Sequence, residues 1–154
     1  MSMYGAGASK AGVNTADTAY FDLHPTGTTT RIKIFQIIVG IAVAPTTAPV
    51  FYLARTTAAG TVTSSLAGQA IDPADPTSVA VLNFAWSVAP TFTAANKIAV
   101  GGLGVTAGGA WVWTFPDDAP LTITNAAASG IAVVNANAAG ATVGTFAASL
   151  LWRE

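Results

Sequence analysis

Six Lys or Arg and seven Asp or Glu are all the charge that this 154-residue chain carries. Charged residues make up 8% of it, against roughly 25% in an ordinary soluble domain. A lone domain with so few ionised groups would leave much neutral and apolar surface in water, and contiguous surface of that kind marks an interaction site. With 52% hydrophobic residues and a mean hydropathy of +0.55, the chain is expected to be covered either by lipid or by other protein. Lipid is disfavoured by the longest apolar run, Ile34–Ala44, which Gln36 interrupts and Pro45 ends. It falls far short of the ~20 residues of a membrane-spanning helix. A membrane barrel needs many strands of alternating polarity with aromatic girdles, and this chain is short for that. Other protein is the remaining cover, so the composition points to a component of an assembly.

The charges that are present are scattered. The net charge is −1 and no Lys/Arg cluster occurs, so neither a nucleic-acid footprint nor a basic helix lying on a membrane is expected. The absence of cysteine excludes disulfides, thiolate metal ligands and a Cys nucleophile. The first residues, MSMYGAGASKAGVN, lack the apolar core of a secretion signal. No Asn-x-Ser/Thr acceptor for N-glycosylation is found either.

Short apolar segments separated by turn residues predict an all-β fold. The expected strands are Ala19–His24, Arg31–Val43, Val50–Arg55, Thr61–Ala67, Val79–Val88, Lys97–Leu103, Ala110–Phe115, Leu121–Thr124, Ile131–Asn135 and Val143–Trp152. Between them lie HPTGTTT, APTTAP, DPADP and FPDDAP, in which Pro presets φ and Asp bonds nearby backbone N–H groups. This rhythm is that of an antiparallel β-sandwich or jelly-roll-like domain over residues 17–154. Arg31–Val43 begins with alternation and turns apolar on both parities from Phe35, which suits a strand buried on both faces. In Ala110–Phe115 the period of two stacks Trp111, Trp113 and Phe115 on one face. Residues 1–16 are small and glycine-rich, with Tyr4 and Val13 as anchors, and read as a flexible N-terminal arm that orders against a neighbour or stays loose.

Catalytic chemistry is thinly represented. The single histidine, His24, follows Asp22 by two residues, so a hydrolytic triad would have to use that pair. A strand end before a turn proline is the simpler account of His24, given how little catalytic context surrounds it. Asp72 with Asp75 and Asp117 with Asp118 fall in Pro-Asp turns, which need no bound cation. GLGVTA at 102–107 matches a loose dinucleotide pattern but is followed by a strand, where a phosphate cradle requires a helix. No catalytic residue, metal ligand or cofactor is therefore assigned. Trp111 and Trp113 would suit either a sugar-stacking platform or buried anchors.

One resemblance rests on the order of several segments: RIKIFQIIVG, FYLARTTAAGT, AIDPADPTSVAV, GGAWVWTF followed by a charged turn and LTI, then SGIAVVNAN and the terminal LLWRE. Over roughly residues 17–154 this order resembles the small decoration, or cement, proteins of tailed-bacteriophage capsids. The resemblance implies a single sandwich or jelly-roll domain that trimerises on the outer capsid surface of a virion, assembled in the bacterial cytoplasm. It implies the major capsid protein as partner and no enzymatic activity. The low charge departs from what a solvent-facing decoration protein would suggest. On this reading Met3, Tyr4, Val13, Phe35, Ile37, Val39, Trp111, Trp113 and Trp152 are the candidates for burial between subunits or against the shell. Another virion part, such as a tail or head fibre, and a carbohydrate-binding sandwich are the alternatives.

Overall fold

Strands dominate because β-branched and aromatic residues recur at period two between turn formers. The computed structural model describes residues 2–13, 15–27, 30–124, 129–137 and 144–154, and among these there is no helix. Twelve strands form: β1 (Met3–Ala11), β2 (Thr18–Pro25), β3 (Ile32–Val43), β4 (Val50–Ala58), β5 (Thr61–Ala67), β6 (Gln69–Ala70), β7 (Ala80–Val88), β8 (Thr91–Gly102), β9 (Ala110–Thr114), β10 (Leu121–Ile123), β11 (Gly130–Asn135) and β12 (Thr145–Arg153).

They make two antiparallel sheets packed face to face, a β-sandwich. The first runs β10-β3-β12-β1-β6, with β9 pairing β3 beyond β10 on the same edge. The second runs β5-β7-β2-β11-β4-β8. The pairing is nested: β1 with β12, β2 with β11, β3 with β9 and β10, and β4 with β8. This is the jelly-roll order, with β5, β6 and β7 inserted between β4 and β8. The inserted strands close one side of the sandwich. β5 pairs β7 in the second sheet and, past Gly68, the chain continues as β6 against β1 in the first. At Gly68 a side chain would collide with the Trp152 ring and Ser78, so glycine is the residue that lets the strand switch sheets there.

The main core lies between the sheets, with Tyr20, Phe51 and Phe146 in mutual contact at 5.1–5.5 Å between ring centroids. A second, smaller core of Ala19, Tyr52, Ala54, Ala132 and Val134 sits on the outer side of the second sheet, against Trp86 and Phe92. The two short connections that border it, residues 59–60 between β4 and β5 and residues 89–90 between β7 and β8, meet: a Cβ on Gly60 would lie 2.7 Å from Pro90 N and 2.8 Å from the Ala89 carbonyl carbon. The second sheet is curled, and its outer face is partly enclosed.

Two expectations are corrected. The segment read as a flexible arm is a strand: β1 pairs β12 over its full nine residues and Tyr4 is buried. Small residues there mark closeness, since Gly7 lies 3.0 Å (from its would-be Cβ) from Ser149 Oγ on the neighbouring strand. The arm's Met1 and Asn14 lie outside the described residues, as does Val143, the expected start of the last strand. Within the single chain, the two-sided apolar run of β3 is also not burial on both faces. Its register against β12 shifts at Phe35, where Leu151 faces Gln36 but Trp152 faces Ile34. A bulge of this kind changes parity: Ile32 and Ile34 point inward before it, and Ile37, Val39 and Ile41 after it.

Candidate functional site

The residues expected between subunits separate into two groups. Tyr4, Ile37, Val39, Trp113 and Trp152 are buried within the domain itself. Tyr4 stacks on Trp152 at 6.2 Å, and its hydroxyl donates to the Pro76 carbonyl. The Trp152 Nε1–H donates to Glu154, whose other oxygen accepts from the Val79 N–H. These side chains are engaged by their own chain, so they are corrected from interface to core. Met3, Val13, Phe35 and Trp111 stay half-buried. Val13 is clamped through both its N–H and its carbonyl by the Tyr20 hydroxyl. Phe35 lies under the Arg153 guanidinium at 4.7 Å. One side of Trp111 rests on Gly101 of β8, which seals the open flank of the sandwich, and Trp113 lies 5.9 Å from it. Trp113 is 7% exposed and offers no open stacking platform, whereas Trp111 keeps part of its ring in solvent.

His24 and Asp22 do come together. His24 Nδ1 lies 2.9 Å from Asp22 Oδ2, and Asn83 Nδ2 approaches the same oxygen at 3.4 Å. Both residues of the pair are buried, and Thr56 and Gly130 complete the knot from neighbouring strands. A Cβ on Gly130 would lie 2.6 Å from Asp22 Oδ1 and 2.8 Å from Thr56 Oγ1, and closer still to His24. The Asp-to-Nδ1 contact is the one that orients a catalytic histidine. Here the adjacent hydroxyl, Thr56, is 6% exposed and lies at the wall of an opening that Arg31 and Arg55 border. Sequence reasoning paired Asp22 with His24 but missed Asn83 and Thr56. The signal available was a polar residue on the otherwise small or apolar face of each of β4 and β7.

The Asp turns behave as turns. The Ala74 N–H donates to Asp72 Oδ1 at 2.9 Å, and the Ala119 N–H donates to the Pro116 carbonyl at 3.0 Å. Among the described residues no three His, Cys, Asp or Glu side chains converge as a metal site requires. After Gly102 the chain runs through a loop into β9, so the GLGVTA pattern has no helix to hold a phosphate. No helix of the described residues is long and apolar enough to cross a membrane.

What the fold does organise is charge. The described residues of the four connections at one end of the sandwich, 12–13 with 15–17, 44–49, 103–109, and 136–137 with 144, include a single charged residue, Asp17. Asp17 is itself occupied, accepting the Tyr52 hydroxyl at 2.7 Å. Burial, reinforced by that carboxylate, pushes the Tyr52 phenol well above its ordinary range. Val43 and Val105 stand at this neutral end, 57% and 47% exposed. Arg31, Lys33, Arg55, Asp72, Asp75, Arg153 and Glu154 lie toward the opposite end. Beyond Lys33 and Arg153 at its charged edge, the outer face of the first sheet is neutral as well: Ile38, Val112, Leu151, Gly5, Gly7 and Gly40 share it by register. No protein-family model matches this chain, and comparison with curated proteins gives no match.

Proposed function

We propose that this chain is a structural, non-enzymatic virion protein that decorates the outer capsid of a tailed bacteriophage as a homotrimer. The observation that carries the reading is the polarised surface. One end and most of one face are neutral and partly apolar, while most charge is gathered at the far end. Desolvating neutral surface costs little, whereas an unpaired charge in an interface is expensive. The neutral end and face therefore meet protein, and the charged end meets solvent. The jelly roll is compatible with this role but is a fold that many functions share. Symmetric trimers match the threefold axes of a shell, and repetition over a shell strengthens modest contacts.

The native mass, measured by light scattering after size exclusion, is the first test. A species of about three times the 15.4 kDa chain mass is expected, and it should bind bare capsids in co-sedimentation. A stable monomer that leaves capsids bare would overturn the proposal.

A further inference from the structure

At the charged end, a cavity of about 370 Å³ opens where the two sheets part, lined by Arg31, Arg55, Thr56, Thr122, Thr124 and Ser129. Two of the chain's six cationic side chains face this one opening. Among the described residues neither guanidinium makes an ion pair, and no carboxylate lines the cavity. The Arg55 Nη1–H donates to the Thr122 carbonyl at 2.7 Å, which holds that guanidinium across the gap between β4 and β10. Thr124 Oγ1 and Ser129 Oγ lie 2.8 Å apart at the rim, so at most one hydrogen of the pair is spent between them. The lining is rich in donors and poor in anions.

We infer that this cavity binds an oxyanion, a carboxylate or a sulfate-like group, through the Arg31 and Arg55 guanidinium groups and the Thr124 and Ser129 hydroxyls at the rim. Planar guanidinium forks match two oxygens of such a group, and hydroxyls donate to the remainder. The volume leaves room for the molecule that carries the anion. This inference does not depend on the capsid reading, because it rests on the cavity alone.

The test is titration of the isotope-labelled protein with sodium sulfate and, separately, sodium acetate, at an ionic strength held constant with chloride. Backbone amide shifts of Thr122, Thr124 and Ser129 are the readout. Saturable shifts are expected with one or both anions, and which one saturates identifies the tetrahedral or planar form. R31A, whose side chain is exposed, should weaken saturation about tenfold, and R55K should weaken it while keeping the charge. R31A keeps the test decisive if R55K disturbs the Thr122 contact and the fold. Shifts that stay linear with both anions, or an R31A variant that saturates like the parent protein, would overturn the inference.

Discussion

Gly101 shows how a single hydrogen atom can decide the packing of a flank. It faces Phe51 in the β4–β8 ladder, and Trp111 lies directly over it, so a Cβ would sit 2.5 Å from Trp111 Cδ2. Gly101→Ala should cost about 1–3 kcal/mol through overpacking, read as a lower urea midpoint with an unchanged slope. Combining it with Trp111→Ala should cost less than the sum of the two single changes, because the clash disappears with the ring. Strict additivity would show that the contact is not the cause. Tyr52 offers a test that depends on pH. Its phenol is pushed up by burial first and by Asp17 second, while the unfolded chain releases that proton near the ordinary value of 10.0. Below pH 10 both states hold the proton and the contribution is fully present. Above it the folded state binds more protons, so stability falls as pH rises. Tyr52→Phe should lose about 1 kcal/mol at neutral pH with the Asp17 hydrogen bond, and should flatten the alkaline fall in melting temperature. The flattening is partial, because burial also raises Tyr20. An unchanged alkaline slope would remove Tyr52 from the account.

At the scale of elements, β1 is the segment whose role the structure changes most. Its full pairing with β12 and the stacking of Tyr4 on Trp152 make it part of the domain. Deleting residues 1–11 should expose the edge of β12 and one side of Trp152, destabilising by more than about 3 kcal/mol. Hydrogen exchange should show the β1 amides protected about as well as those of β12. A truncated chain that melts where the parent does would restore the arm. Most strands were legible in the sequence because their period of two is bounded by turns: Thr61–Ala67 is matched end to end, and β2, β4, β7 and β11 to within a few residues. What was not legible had weak local signals. MYGAGASKA lacks β-branched residues and becomes a strand only because β12 and β6 flank it. The first half of β8, TFTAAN, is irregularly paired, with three register shifts against β4. In β3 the apolar residues on both parities were visible, but they are equally compatible with two-sided burial and with a bulge. Only the partner register separates the two. The polar knot was half legible for the same reason: Asp22 and His24 are close in sequence, whereas Asn83 and Thr56 arrive from strands that topology alone brings alongside.

For the molecule as a whole, the distribution of charge matters more than its amount. A chain with so little charge could have spread it evenly to stay dispersed in water, but the fold leaves one end, and one sheet face up to Lys33 and Arg153, neutral. Thr47 and Thr106 lie exposed in two of the loops of the neutral end, where new side chains meet solvent in the isolated domain. Thr47→Glu combined with Thr106→Glu should therefore change the domain's own stability by less than about 0.5 kcal/mol. Buried against another protein without a partner, the same carboxylates become costly. The double variant should keep its melting temperature at low concentration and lose capsid binding, trimerisation or both. An equal addition at the opposite end, Thr77→Glu on the exposed loop after Asp75, should leave assembly intact. If the two ends tolerate charge equally well, the polarised surface is not the attachment surface, and the neutral outer face of the first sheet becomes the place to put the next carboxylate.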